Sequence, residues 1–438
     1  MRHTIARSLR WLAPCTLLLA AGSALAAPTI EQRTLEGSGV PLLVVRTPGV
    51  PIVHLLASLD GGVLDEPEGK DGTTALLLRT ARRATAGFSY EAVNDLLDRT
   101  GGRLSASAGV DSAGLGLSCV KSFLPDLVPL WAGALLAPSL PEAPLQREQR
   151  RMIDEARRAL DSPDGRLERL AGDLAFKGHP YARRPDGLPE TLQGITADEL
   201  RAHHEHLVRA RRLRIVAVGD LDPDVLAATL SKALAGLPPG DPQPGLPAWK
   251  PAAAAARVEA RELKTDYLLA FFALPGPGEQ GYEASRLAFR ILSEDLWERV
   301  RTRKGLAYAV SCGVAAARAN FGYLYASSTD PEAVIREIHA AVDALIAEPP
   351  DGKRIRDTLA VFATEYYSSR RRNQAIAGAV AHAARAYGDP ARAFDLVDRL
   401  SRVSPEAVAA ALRAGFRNLQ WGALGDAGRI PAELLEKR

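Results

Sequence analysis

Arg301 and Tyr308 stand seven positions apart, and their side chains suit one task. A guanidinium presents fixed N–H donors and a phenol adds one more, so together they can hold a carbonyl oxygen or a developing oxyanion. The same residues also have a plainer reading. Arg301 is one of several cations that the dipole favours at a helix end, and Tyr308 can pack in a sheet with its hydroxyl at the edge. A second constellation is His203-His204-Glu205-His206. Metal binding from one helix turn needs ligands three or four positions apart; only His203 and His206 have that spacing, with no acid placed between them as a base. The expectation there is a surface helix with incidental histidines. His54, His339 and His382 are scattered and read as structural.

The elements that must position Arg301 and Tyr308 are visible around them. Residues 284–303 read as a charged amphipathic helix, Gly305 as its stop, and 307–314 as a strand alternating small or polar with apolar residues. The segment 291–296 before the helix end lacks a glycine turn.

Residues 1–26 carry Arg2, Arg7 and Arg10, then an apolar run, then Ala24-Leu25-Ala26, the pattern of a secretory signal peptide cut before Ala27. The expected protein is exported, periplasmic and not inserted in a membrane after that cut. The full chain has 55 basic and 52 acidic residues, and removing residues 1–26 leaves 52 of each. That balance, with no basic block, points away from nucleic acid. Cys119 and Cys312, one in each half, read as two buried free thiols. A chain of 438 residues is too long for a single core.

The seam is the proline-rich stretch 238–256, a stiff extended linker by composition. It separates residues 27–237 from 257–438, and both parts run strand, helix, strand pair, helix cluster, strand, Gly-Asp, helix. The expected class is α+β: two homologous α/β sandwich domains, each a sheet covered by helices.

This duplicated layout resembles the insulinase-like (pitrilysin, inverzincin) metallopeptidases. The resemblance is carried by Gly61-Gly62-Val63-Leu64-Asp65-Glu66-Pro67 before Gly72, by Gly178-His179-Pro180-Tyr181, by 187–192, by the strand ending at Gly219-Asp220, and by 301–308. Active members carry His-x-x-Glu-His on the first helix, two zinc ligands with a general base between them. Here Ala75 and Arg79 stand at the histidine positions and Leu78 at the glutamate. None of the three can ligate zinc or take a proton at that site. Glu155 falls where the third ligand would be; it reads mainly as a solvated helix position paired with Arg151 or Arg158, and alternatively as a salt-bridge partner of Arg79.

The resemblance implies that Arg301 and Tyr308 contact bound peptide near the scissile carbonyl. A missing metal motif beside a retained Arg/Tyr pair implies the non-catalytic subunit of a heterodimeric zinc peptidase, half of a clamshell. This chain would bind no metal or other cofactor, and zinc would be in the partner subunit. The substrate would be an unfolded peptide lying against a sheet edge of the partner. The alternative is a stand-alone peptide-binding or assembly protein of the same fold without peptidase activity.

Overall fold

The computed structural model describes residues 28–437, so the expected signal peptide lies outside the described residues. Two mixed sheets form the frame. The first is ordered β1-β2-β6-β3-β5-β4 and the second β7-β11-β8-β10-β9. Their strands are β1 (Ile30–Thr34), β2 (Pro41–Arg46), β3 (Ile52–Asp60), β4 (Arg103–Ala108), β5 (Ser112–Val120) and β6 (Leu213–Gly219), then β7 (Ala255–Ala260), β8 (Asp266–Ala273), β9 (Ala307–Val314), β10 (Phe321–Ser328) and β11 (Gln420–Gly425).

Apart from β1 the two sheets match strand for strand. β2 runs parallel to β6 as β7 does to β11, and every other pairing is antiparallel. The equivalent strands β6 and β11 both end on a glycine with positive φ, +154° at Gly219 and +150° at Gly425. A side chain at Gly219 would sit 2.7 Å from Val53, and one at Gly425 would collide with Asp266. That aspartate is fully buried and accepts from the Asp426 N–H at 2.8 Å and from Arg429 at 3.0 Å. A buried carboxylate needs such partners, which explains why the strand must end in a residue without a side chain.

The first half carries helices α1 (Thr73–Ala81), α2 (Tyr90–Thr100), α3 (Leu124–Leu136), α4 (Glu142–Asp161), α5 (Pro163–Ala175), α6 (Pro189–Gln193), α7 (Ala197–Leu207) and α8 (Pro223–Ala233). The second carries α9 (Tyr282–Leu296), α10 (Pro331–Ala347), α11 (Gly352–Ser369), α12 (Asn373–Tyr387), α13 (Leu396–Leu400), α14 (Pro405–Gly415) and α15 (Ala432–Leu435). One face of each sheet is covered by helices of its own half. The other face is covered by a helix from the opposite half. Ile376, Val380 and Ala381 of α12 pack on Leu43, Val45, Val216 and Val218 of the first sheet, while Leu167 and Ala171 of α5 pack on Leu269, Phe271 and Leu424 of the second. This exchange explains why β2 reads as an unbroken run, Leu42 to Val45, all buried: both of its faces are covered.

Residues 238–256, expected as a stiff linker, are anchored along their length. Ala210 and Arg211 donate backbone N–H bonds to Pro238 and Pro239 at 2.8 and 3.0 Å, and the buried Trp249 donates from Nε1 to the Ala175 carbonyl at 2.8 Å. Strand β7 begins at Ala255, within the span expected as linker. Cys119 and Cys312 are buried free thiols, one in β5 and one in β9. Burial pushes the Cys119 thiol up to about 11, so it is a packing group rather than a nucleophile.

Candidate functional site: an arginine–glutamate pair on α1 and a cation–aromatic platform

Of the segments singled out in the sequence, 61–67 and 187–192 meet at the N-terminus of α1. The chain leaves β3 through Gly61-Gly62, and the buried Glu66 turns back so that its carboxylate accepts from the N–H groups of Gly72 (2.8 Å) and Thr74 (2.7 Å). It thereby satisfies the free donors of the first helical turn. Gly72 has φ +96°, and a side chain there would meet Gly187 and Leu192 at 2.9 and 2.6 Å. Arg183 holds Asp71 at 2.6 Å and Thr191 donates to the Asp71 carbonyl at 2.8 Å, so loop 183–192 is clamped onto the helix start.

The α1 positions that the resemblance matches to zinc ligands hold other chemistry. Ala75 and Leu78 are buried apolar contacts. Arg79 Nη1 donates to Glu155 Oε2 at 2.7 Å, and Arg79 also lies 3.6 Å from Asp186. Glu155 Oε1 accepts from Arg151 at 2.9 Å. Both pairings considered for Glu155 are therefore present at once. The Arg79 guanidinium, followed by that of Arg151, holds the Glu155 carboxyl below the usual carboxylate range. A dication does not fit these residues: the histidine and glutamate positions offer no donor, and a permanent cation already binds the one carboxylate. Among the described residues no group of three or more His, Cys, Asp or Glu converges on a point. Arg79 and Glu155 border a cavity of about 660 Å3 closed on its far side by Phe271 and Phe321 of the second sheet.

The three histidines of α7 go to three different partners. His203 Nε2 bonds Thr74 Oγ1 at 2.9 Å, His204 Nε2 bonds the Leu135 carbonyl at 2.7 Å, and His206 Nε2 lies 3.2 Å from Asp65. The expected surface helix is corrected on one point: His203 is buried, because α7 packs on α1 through that face. Burial lowers the His203 pKa to about 4, and that of His54 likewise. Both rings are neutral at pH 7, and the unfolded chain binds their protons first as pH falls. Each should thus cost about 3 kcal/mol of stability between pH 6.5 and pH 4. Urea midpoints at pH 7 and 4.5 check this. The loss on acidification should shrink in His203→Gln, and an unchanged loss would contradict the assignment.

Arg301 and Tyr308 lie elsewhere, on the second half. After α9 the helix widens into a π-turn over Trp297–Arg303, with Val300 buried as its anchor. Gly305 at φ +61° ends it, and the chain enters β9, the edge strand of the second sheet. The wide turn lays the Arg301 guanidinium 4.0 Å from the centroid of the Trp297 ring and 6.0 Å from that of Tyr308. Tyr308 is 81% exposed and Trp297 46%, so the half-buried cation lies against two largely exposed rings. Arg301 has no ion pair among the described residues, whereas Arg303 holds Glu298 and Lys304 holds Glu337. Neither Arg301 nor Tyr308 borders the cavity at Arg79. Trp297 escaped the sequence reading; the signal was an aromatic residue one helical turn before the arginine.

Residues 194–362 match the family model described as the Peptidase M16 inactive domain. That match covers less than half of the chain, and over that stretch the chain is similar to the insulinase-like, M16 peptidases. A peptidase M16 inactive domain of Pseudomonas fluorescens superposes with a TM-score of 0.83 over 92% of this chain and 99% of that one, at 19% identity. The periplasmic protease PqqL of Escherichia coli gives 0.75 at 16% identity, covering 96% of this chain but 49% of PqqL. Among curated proteins, this chain is 23% identical over 240 residues to a probable mitochondrial-processing peptidase subunit beta of Schizosaccharomyces pombe, covering 54% of this chain and 52% of that protein. It is 22% identical over 295 residues to an uncharacterised zinc protease of Streptomyces coelicolor, covering 64% of each. The chain thus spans between half and two-thirds of these two relatives. No helix among the described residues is long and apolar enough to cross a membrane.

Proposed function

We propose that this M16 chain is the non-catalytic, substrate-binding subunit of an exported, periplasmic zinc metallopeptidase, and that a second M16 chain supplies the zinc. The single observation that carries the reading is the Arg79–Glu155 pair on the face where an active member holds its metal. An arginine there cannot serve hydrolysis in this chain, yet the fold around it is intact. The exposed platform of Trp297, Arg301 and Tyr308 supports the second element of the proposal. Its unpaired guanidinium and phenol offer donors to a peptide carbonyl as the two chains close like a clamshell. The substrate is an unfolded peptide, extended along a sheet edge of the partner.

The test is reconstitution. This chain is mixed with a zinc-bearing M16 chain encoded in the same genome, and cleavage of a quenched fluorescent peptide is followed together with co-elution. Activity confined to the mixture supports the proposal. A chain that never co-elutes and adds no activity favours the stand-alone binding or assembly protein.

A further inference from the structure

A cavity of about 370 Å3 lies in the second half among α9, α11, α12 and α13, and it shares no bordering residue with the cavity at Arg79. Its wall carries four guanidiniums, those of Arg286, Arg370, Arg392 and Arg399, against the single carboxylate of Glu365. Two of the four are neutralised from outside the wall: Arg399 by Asp395 and Glu283, and Arg392 by Asp395 and Asp389. Glu365 is itself engaged by Arg290 at 2.8 Å. That leaves Arg286 and Arg370, which have no ion pair among the described residues.

The surroundings of these two favour a ligand over simple packing. The Arg370 guanidinium lies 3.5 Å from the centroid of the Tyr366 ring, and its Nη1 donates to the Tyr366 carbonyl at 3.1 Å. Its Nε is shielded from solvent and has no partner. An N–H left in that state costs free energy until something accepts from it. Arg286 Nη1 donates to the Tyr282 hydroxyl at 3.1 Å. That hydroxyl is also engaged with Tyr387, so it positions Arg286 rather than serving a ligand. Two uncompensated cations and an unused buried donor border one concavity. Its volume is near the lower end of the roughly 300–1,000 Å3 typical of small-molecule sites.

We propose that this cavity binds an oxyanion, a carboxylate or phosphate group, between Arg286 and Arg370. Guanidinium pairs suit such groups because their planar forks donate two bonds at once. The inference concerns the isolated chain and does not depend on the two-chain reading above, so either can fail alone.

Isothermal titration of the purified chain with inorganic phosphate, and separately with an acetylated tetra-alanine bearing either a free or an amidated C-terminus, tests it. At least one of phosphate and the free-carboxylate peptide should bind, the amide should not, and whichever binds more tightly identifies the source of the oxyanion. The double variant Arg286→Gln/Arg370→Gln should weaken binding at least tenfold. In the unaltered protein, the ring resonances of His382, which borders the cavity, should move on addition of the ligand. This readout holds even if the variant does not fold. Absence of binding by both probes, equal binding by a folded double variant, or stationary His382 resonances at saturation would overturn the proposal.

Discussion

Substituting Arg301 by alanine in the assembled two-chain peptidase is expected to lower kcat about 100-fold, the usual effect of removing one preorganised donor to a developing oxyanion. Tyr308→Phe should lower it about tenfold, the equivalent of one hydrogen bond. Neither change should alter the yield of complex, because Tyr308 is exposed, Arg301 is partly exposed, and neither belongs to a hydrophobic core. The Trp297 ring lies 4.0 Å from the guanidinium and fixes its plane. Unchanged turnover in both variants would make the pair a surface ornament, with the helix dipole as its explanation.

Gly422→Val should destabilise the chain by roughly 3 kcal/mol, at the upper end of overpacking effects. Gly422 lies in β11, where a Cβ would meet Ala171 of α5 at 2.6 Å from its Cβ and 2.8 Å from its backbone. The obstacle is backbone, which cannot rotate away, so α5 must lift off the second sheet. That helix is one of the two exchanged between the halves. The variant should therefore lower the urea midpoint and disturb Trp249, whose indole donates to the last residue of α5. A midpoint equal to that of the parent would show that the exchanged helix contributes little to holding the halves together.

Much of this was readable in the chain. The central strands β2, β6 and β8 carry continuous apolar runs at 42–45, 215–218 and 267–273, and both Gly-Asp strand ends mark equivalent positions in the two halves. What stayed hidden depends on distant partners. β1, largely polar, and β7, alanine-rich, are short edge strands whose ladders exist only because β2 and β11 lie beside them. The exchange of α5 and α12 cannot be seen in periodicity, since an amphipathic face does not state which sheet it covers. The burial of His203 follows from the docking of α7 on α1 and from Thr74, far away in sequence. At the candidate site, it was plain that Ala75, Leu78 and Arg79 offer no zinc ligand at the positions the resemblance points to. The simultaneous engagement of Glu155 by Arg79 and Arg151 required the geometry. Trp297 was missed because a π-turn, which brings its ring under Arg301, has no clear sequence signature.

The most direct measurement of the central claim is peptidase activity and zinc content of this chain alone, of a zinc-bearing M16 chain from the same genome alone, and of their co-purified mixture. The account predicts cleavage of an unfolded peptide chiefly by the mixture, with one zinc per pair of chains and none in this chain by itself. Stoichiometric zinc and cleavage by this chain alone would contradict it.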